Sequence, residues 1–291
     1  MKILITGGSG TIGLKLVKFF SGEEVYYTFF SNRHSVGKAT PVKLDITNSA
    51  STVKTIMKIK PDVVIHAAAL ANMDMCETDK DAARKINIGG TKNVADGCEK
   101  SGSKMVYIST SAVFSTEGRK LTEEDKTNPV NYYGYTKLEG EKVSMKTGRC
   151  LVLRTDQPYC WIERWQKKSS VIRILERLKN HEPVREVTDW YNTPTFVNNF
   201  ALVLANLLEK GNTGIYHVAG PDFVSRYEMA LEICDVFGFD KKLVGAMKSE
   251  ELNLPAKRGR NWLSSKKAEK DSGIKLIGIE EGLEAMKLSG F

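Results

Sequence analysis

The chain opens with MKILITGGSGTIGLKLV, residues 1–17, in which a short apolar run leads into a glycine cluster and then into a helical pattern. A strand that turns tightly beside a pyrophosphate, with a helix N-terminus facing the phosphates, needs glycine where the backbones approach closely. The fingerprint Gly8-x-Gly10-x-x-Gly13 lies at the predicted strand-to-helix junction, so it is more specific than an isolated glycine motif. The stretch predicts a dinucleotide site formed by Gly7, Gly10, Thr11, Ile12 and Gly13.

Apolar strand candidates alternate with helical segments after this stretch, which is typical of a parallel sheet. The predicted strands are 2–6, 24–30, 41–44, 62–67, 104–109 and 149–154, and the predicted helices are 11–21, 48–58, 79–101 and 130–147. The pattern then becomes irregular until a strand at 214–220 and a helix at 225–237. We therefore predict an α/β protein with a Rossmann-type doubly wound parallel sheet at residues 1–155. Residues 156–291 are expected to form mostly a smaller C-terminal substrate-binding lobe, with some segments returning to the first domain.

The composition is that of an ordinary globular chain, with 41% hydrophobic residues, 27% charged residues and a net charge of +8. Lys and Arg are spread among Asp and Glu, so the charge does not indicate nucleic acid. No apolar stretch approaches the ~20 residues of a membrane span, and the N-terminal apolar run is too short for a signal peptide. Five scattered cysteines indicate reduced thiols. We expect a cytoplasmic protein without a metal, a membrane or a nucleic-acid partner, and with a homodimer as a possible assembly.

Tyr133 and Lys137 are four residues apart in a predicted helix, so the phenol and the ammonium share one face. A positive charge close to a phenol lowers its pKa from about 10 toward neutral pH. Tyr133 is therefore a candidate proton donor to an alkoxide, or a proton acceptor from an alcohol. For this pair taken alone, an ordinary contact on a solvated helix is the alternative.

Thr110 lies at the C-terminal end of the strand that begins at Lys104. In an open α/β sheet, ligands bind outside the carboxyl ends of the strands. The Thr110 hydroxyl is thus a candidate hydrogen-bond donor to a substrate carbonyl that Tyr133 protonates. A hydroxyl that bonds only its local backbone is the alternative.

Together these motifs resemble those of the extended short-chain dehydrogenase/reductase family. The resemblance implies that Thr110, Tyr133 and Lys137 are the catalytic residues and that Lys137 also holds the nicotinamide ribose. It further implies cofactor contacts from Gly7, Gly10, Gly13, Asp45, Ile46, Ala67, Ala68, Ala69, Asn87, Tyr133 and Lys137.

Three later segments, 189–195, 216–220 and 258–263, resemble segments of dTDP-4-dehydrorhamnose reductases. That resemblance implies NADPH-dependent reduction of the C4 ketone of a nucleoside-diphosphate 4-keto-6-deoxy sugar, with Thr110 and Arg258 in contact with the substrate. Aromatic side chains of the second lobe offer stacking surfaces for a base or a sugar ring: Tyr159, Trp161, Trp165, Trp190 and Tyr191. Basic side chains that could neutralise a diphosphate are Lys167, Lys168, Arg258 and Arg260.

The chain departs from the usual pattern of these reductases at three places. Ser111 and Ala112 stand where Asp-Tyr is usual, Asp156 and Gln157 where Ser-Trp is usual, and Gly259 where proline is usual. The first departure also occurs in sugar epimerases of the same superfamily. An NAD-dependent nucleotide-sugar epimerase is therefore one alternative. A non-catalytic regulatory subunit on the same fold, as known for a partner of methionine adenosyltransferase, is the other, although the intact catalytic residues favour an enzyme.

The end of the second strand bears on the choice of cofactor. A carboxylate there would bind the ribose 2′-hydroxyl and repel a 2′-phosphate. Here the strand is followed by Ser31, Asn32 and Arg33, which supply no acid and one guanidinium. Arginine suits phosphate through its forked donors. Asn32 and Arg33 are thus candidate cofactor residues, and NADPH is expected over NADH, with NAD(H) as a possible alternative.

Overall fold

Strands and helices alternate through the first half of the computed structural model, which describes residues 1–31, 34–115 and 118–290. The strands are β1 (Lys2–Thr6), β2 (Glu24–Phe29), β3 (Thr40–Lys43), β4 (Val63–His66), β5 (Lys104–Thr110), β6 (Lys120–Leu121), β7 (Cys150–Thr155), β8 (Pro158–Tyr159), β9 (Val184–Val187), β10 (Tyr191–Asn192), β11 (Thr195–Phe196), β12 (Gly214–His217), β13 (Val224–Ser225), β14 (Val244–Met247) and β15 (Trp262–Leu263). The α-helices are α1 (Thr11–Phe19), α2 (Ser49–Ile59), α3 (Met73–Thr78), α4 (Lys80–Ala83), α5 (Thr91–Ser101), α6 (Tyr132–Met145), α7 (Ser170–Lys179), α8 (Val197–Glu209), α9 (Arg226–Phe237), α10 (Lys266–Ser272) and α11 (Ile279–Leu288). A π-helix spans Arg84–Gly90, and 3₁₀ turns span Ser111–Val113, Lys241–Leu243 and Ser249–Leu252.

The central sheet has seven strands in the order β12-β7-β5-β4-β1-β2-β3, and every neighbouring pair is parallel. The chain starts in the middle at β1, moves out to β3, and returns through β4 to the other side. The strand order therefore reverses between β1 and β4, where open α/β sheets form a ligand-binding crevice. The predicted α/β fold with a doubly wound parallel sheet is confirmed.

Successive side chains of a strand point to opposite faces, and β1 shows how this sheet buries both of them. Ile3 and Ile5 pack with residues of α1 and α8. Leu4 packs on the other face with residues of α2 and α5. All three β1 side chains are completely buried, which explains why the strand is an unbroken apolar run rather than an alternating one.

A second hydrophobic core forms in the later part of the chain, among α7, α9, α11 and the strand pair β9–β14. Leu175, Ile233 and Leu283 are buried members of it, one from each helix. By contrast, α8 and β12 return to the central sheet, where β12 pairs with β7 at the edge. The boundary at residue 155 stays a prediction. No helix among the described residues is long and apolar enough to cross a membrane.

The predicted helix at 79–101 is interrupted in the structure. It consists of α4, the π-helix Arg84–Gly90 and α5. A period of 3.6 residues in the sequence does not reveal such a wider turn. The π-helix carries Asn87, whose amide is buried between the segment after β4 and α6.

Candidate active site

The glycine cluster forms the predicted strand-to-helix turn between β1 and α1. Gly7 has a φ of +67°, and a Cβ there would lie 2.7 Å from the Cα of Ala68. A Cβ on Gly13 would lie 2.2 Å from the carbonyl oxygen of Gly7. Gly10 is exposed at the N-cap of α1, and no acidic residue occupies the first turn. The turn therefore offers open backbone and a helix N-terminus, which fits the pyrophosphate of a dinucleotide.

The structure describes all of the other predicted cofactor residues except Asn32 and Arg33. Ala67, Ala68 and Ala69 follow β4 and are partly exposed beside Gly7. Asp45 is exposed and accepts hydrogen bonds from the N–H and hydroxyl of Thr47 at 2.9 and 2.8 Å. Thr11 and Ile12 are partly buried, and Ile46 is buried. Asn32 and Arg33, on which the NADPH preference was argued, lie outside the described residues.

Asn87 connects the segment after β4 to α6 through its side-chain amide. Its side chain accepts a hydrogen bond from the N–H of Leu70 at 2.8 Å and donates to the Leu70 carbonyl at 3.1 Å. It also donates to the hydroxyl of Thr136 at 3.0 Å. These contacts join the chain after β4 to α6, one residue before Lys137. In this structure the Asn87 side chain links the segment after β4 to the helix that carries Tyr133 and Lys137.

Thr110, Tyr133 and Lys137 come together at the carboxyl end of β5. The Thr110 hydroxyl interacts with the phenol of Tyr133 and also accepts a hydrogen bond from the N–H of Ala112 at 3.2 Å. Lys137 Nζ donates to the carbonyl of Ile108 at 2.7 Å and lies 4.0 Å from the centre of the Tyr107 ring. The threonine thus makes the local backbone contact and a contact to the tyrosine, and its hydrogen bond to a substrate carbonyl stays a prediction.

The prediction that Lys137 lowers the pKa of Tyr133 toward neutral is wrong for this structure. Burial raises the pKa of Tyr133, although the hydrogen bond from Thr110 opposes this. Burial also lowers the pKa of Lys137 to about 7, against the attraction of Glu141. Removal from water disfavours both the phenolate and the ammonium. This effect exceeds the attraction between the two charges that the four-residue spacing predicted. Tyr133 is therefore a protonated phenol at neutral pH, as a proton donor must be.

A buried ion pair between β7 and α6 lies next to Lys137. Arg154 on β7 donates from Nε and Nη2 to the two oxygens of Glu141 on α6, at 2.9 and 2.7 Å, and both side chains are 3% exposed. Ser109 donates to the same carboxylate at 2.5 Å. Glu141 follows Lys137 by one helical turn, so its charge favours the ammonium form of that lysine. The sequence analysis did not predict this pair.

Arg258, a predicted substrate contact, lies over the ring of Trp190. Its guanidinium carbon is 5.1 Å from the Trp190 ring centre, and that of Arg226 is 4.7 Å from the same ring. Arg258 also donates to Asp74 at 2.6 Å. Burial alone would raise the pKa of Asp74, but hydrogen bonds from Arg258 and from the Ala256 N–H lower it. A cavity of about 520 Å³ lined by Val130, Trp190 and Arg258 opens here, beside the start of α6.

Arg226 was missed by the sequence analysis. Ser225 and Glu228 form a capping box that starts α9, and this pattern could have placed Arg226 in the first turn. Its packing against Trp190 joins residues 36 positions apart and is a tertiary contact. Burial lowers the pKa of Arg226 to about 10, so the guanidinium stays charged at neutral pH.

The predicted aromatic side chains lie in three different places. Trp190 lies next to Arg258, and Tyr191 lies 4.9 Å from the guanidinium carbon of Arg260. Tyr159 is 1% exposed, and Trp161 packs against the second core. Trp165 stacks on His34, with ring centres 3.7 Å apart, and lines a separate cavity of about 630 Å³ next to α1. Tyr159 and Trp161 are thus core residues, because tyrosine and tryptophan bury more surface in a core than most side chains.

The chain is similar to known proteins over nearly its whole length. The model of the RmlD substrate binding domain family matches residues 1–288. The beta subunit of methionine adenosyltransferase 2 from Rattus norvegicus is 30% identical over 275 residues, which cover 87% of this chain and 80% of that protein. A crystal structure of a dTDP-4-dehydrorhamnose reductase from Clostridium acetobutylicum has a TM-score of 0.87 at 32% identity and covers 99% of each chain. The dTDP-4-dehydrorhamnose reductase of Bacillus anthracis, solved in complex with NADP, has a TM-score of 0.86 at 26% identity over 100% of both chains.

The match extends over both the central sheet and the later core, as the resemblance in the sequence predicted. It includes the glycine turn, the segment around Tyr133 and the segment around Arg258. The chain therefore belongs to the RmlD substrate binding domain family, within the extended short-chain dehydrogenases/reductases.

Proposed function

We propose that the chain is an NADPH-dependent reductase of the C4 ketone of a nucleoside-diphosphate 4-keto-6-deoxy sugar, dTDP-4-dehydro-L-rhamnose in the first instance. The observation that carries the proposal is the meeting of Thr110, Tyr133 and Lys137 at the carboxyl end of β5. Two reductases of similar structure share the family, one of them solved with NADP. Thr110 and Arg258 are the proposed substrate contacts.

The proposed cofactor is NADP(H), with NAD(H) possible. The glycine turn at Gly7, Gly10 and Gly13 would hold its pyrophosphate, Ala67 lies beside that turn, and Asp45 would contact the adenine. The cofactor supplies a hydride to the carbonyl carbon. Binding titrations of NADPH and NADH test the preference, and a tenfold tighter affinity for NADH would contradict it.

The chain's own residues handle the carbonyl oxygen and its proton. Thr110 donates a hydrogen bond that polarises the carbonyl, and the protonated phenol of Tyr133 gives its proton to the oxygen as negative charge develops there. Lys137, whose pKa is about 7 in the structure, is favoured as an ammonium when the neighbouring phenol becomes a phenolate. One hydride and one proton convert the ketone to the alcohol.

The decisive experiment is NADPH oxidation across a panel of keto sugar nucleotides, with product analysis by mass. Consumption of one NADPH per alcohol formed is the expected result. Tightly bound NAD⁺ that survives purification, with interconversion of sugar epimers and no net oxidation, would instead identify an epimerase. Absence of turnover with every keto sugar, despite measured NADPH binding, would remove this substrate class.

A regulatory subunit is a second candidate, because a 30% identical relative is the beta subunit of methionine adenosyltransferase 2. Under this candidate, the chain would bind a methionine adenosyltransferase without turnover of its own. Co-purification with such an enzyme tests it, and turnover of a keto sugar by the chain alone would count against it. The homodimer and the cytoplasmic location stay predictions.

A further inference from the structure

Asp156 is a buried carboxylate directly after the end of β7, and it is 6% exposed. Thr155 is the register partner of Thr110 on β5, so the next residues, Ser111 and Asp156, are neighbours at the same sheet edge. Adjacent strands lie about 4.8 Å apart, and the Ser111 hydroxyl interacts with the Asp156 carboxylate. The charge of Asp156 also acts on the phenol of Tyr133. Asp156 therefore belongs to the space beside the candidate catalytic pair.

The two oxygens of this carboxylate are used unequally. Oδ2 accepts the N–H of Thr193 at 2.9 Å and the side-chain amide of Asn192 at 3.2 Å. Oδ1 receives the same amide only at 3.4 Å. A carboxylate offers about four lone-pair sites. Oδ1 therefore keeps capacity to accept a hydrogen bond from a ligand.

Asn192 adds a second acceptor next to the first. It is 7% exposed, and its Oδ1 has no hydrogen-bond partner within the described parts of the chain. Its amide N–H group is directed at Asp156, which fixes the side-chain carbonyl as the acceptor that is left over. A buried acceptor without a donor is unfavourable, and a ligand hydroxyl would satisfy it.

The residues that follow β5 and β7 also support a role for Asp156 in binding a ligand. The usual reductase pattern has aspartate after the catalytic threonine and serine after the Arg-Thr of the next strand, whereas this chain has Ser111 and Asp156. Because 111 and 156 are neighbours across β5 and β7, the carboxylate and the hydroxyl have changed places. The pair is kept, but the carboxylate now projects from the β7 side.

We propose that Asp156, together with Asn192, is a specificity-determining acceptor that binds a substrate hydroxyl on the ring carbon next to the reacting carbonyl. Thr110 and Tyr133 hold the carbonyl oxygen, Asp156 lies one residue beyond the strand partner of Thr110, and Asn192 lies next to Asp156. A hydroxyl vicinal to the carbonyl is the donor within reach of that position. This inference rests on the proposed keto-sugar substrate.

The test compares two keto sugar nucleotides that differ only in the hydroxyl next to the carbonyl, one hydroxylated and one deoxy. A hydrogen bond to a charged acceptor corresponds to about a 10- to 100-fold preference, so wild type should have a kcat/KM for the hydroxylated substrate higher by that factor. Asp156→Ala should reduce the preference to below threefold, mainly by slowing the hydroxylated substrate. An unchanged preference in the variant, or no preference in wild type, would overturn the proposal.

A purely structural role of Asp156 predicts a different result, in which Asp156→Ala lowers kcat/KM for both substrates by the same factor. Asp156→Asn is the second variant. It keeps the shape of the side chain and is used if Asp156→Ala does not fold. Asp240→Asn is the matched control, because Asp240 accepts the Lys242 N–H at 2.9 Å in an exposed turn away from the site. Thermal unfolding of each variant separates loss of fold from loss of preference.

The exchange itself gives a sharper outcome. Ser111→Asp alone places two carboxylates in contact and should lower kcat/KM, since like charges at close range repel. The double variant Ser111→Asp/Asp156→Ser relieves that repulsion, but its carboxylate no longer occupies the position that accepts from Thr193 and Asn192. It should therefore recover kcat/KM over Ser111→Asp without regaining the preference for the hydroxylated substrate, and a preference as large as that of wild type would contradict the proposal.

Binding measurements distinguish this inference from the proposed reaction. Calorimetry with NADP⁺-loaded protein compares the product alcohol with its analogue lacking the neighbouring hydroxyl. A tenfold difference in affinity that disappears in Asp156→Ala supports the inference even where no ketone is reduced, in which case only the proposed reaction fails. Equal affinities of wild type for the two ligands, or binding of neither, would reject the inference.

Discussion

Tyr133 is the residue on which the proposed chemistry depends most directly. Tyr133→Phe removes the proton donor while leaving the ring in place, so turnover should fall by roughly 10²–10⁴-fold with NADPH affinity nearly unchanged. Steady-state kinetics and a cofactor titration measure both. Tyr135→Phe is the matched control on the same helix, because Tyr135 is 43% exposed. Full activity of Tyr133→Phe would eliminate the assignment.

Lys137 predicts a pH dependence of stability whose sign follows from its lowered pKa. In the unfolded chain lysine titrates near 10.4, whereas in the fold the pKa of Lys137 is about 7 because burial disfavours the ammonium. Between these values the unfolded state binds more protons, so this group becomes less destabilising as pH rises. The stability of Lys137→Met relative to wild type should therefore decrease from pH 7 to pH 9, by up to about 1.4 kcal/mol per pH unit.

Urea unfolding of both proteins at several pH values measures that difference, and the comparison cancels titrations that the two chains share. A constant difference would show that Lys137 is charged throughout this range. Loss of turnover in Lys137→Met, whatever its stability, would agree with the proposed role.

At the scale of elements, the β1–α1 turn depends on the absence of side chains. Gly13→Ala would place a Cβ 2.2 Å from the carbonyl oxygen of Gly7, so the helix must shift away from the strand. We expect a loss of about 1–3 kcal/mol in unfolding free energy, as for overpacked sites, together with weaker NADPH binding. Gly22→Ala is the control, since a Cβ there meets nothing within 4 Å. Equal stability of the two variants would contradict the close approach seen here.

At the scale of the whole molecule, the pair Arg154–Glu141 joins the central sheet to α6 and, through a 3.5 Å contact of Arg154 with His217, to the edge strand β12. Arg154→Met leaves a buried carboxylate without its cation, which typically costs 3–5 kcal/mol. Arg177→Met removes an exposed arginine, 3.6 Å from Glu182, and should change stability by less than about 0.5 kcal/mol. Denaturant unfolding compares them, and a small effect of Arg154→Met would mean that Glu141 takes up a proton instead.

The sequence alone determined the fold class and the elements that carry the site. The apolar run of β1, the glycine spacing and the four-residue step from Tyr133 to Lys137 are local patterns, and each reports on backbone geometry within a few residues. They predicted the parallel sheet, the strand-to-helix turn and the helix that bears the phenol and the ammonium. The π-helix around Asn87 was not predicted, because a single wider turn leaves the hydrophobic period almost unchanged.

Only the tertiary structure decided the electrostatics and the substrate side. The sequence spacing predicted a lowered pKa for Tyr133, but burial by the whole fold raises it. Nothing local connects Arg226 to Trp190, or Asp156 to Ser111, because these contacts depend on strand order and on how the second core rests against the sheet. Desolvation and long-range packing act through space, and a sequence pattern records only neighbours along the chain.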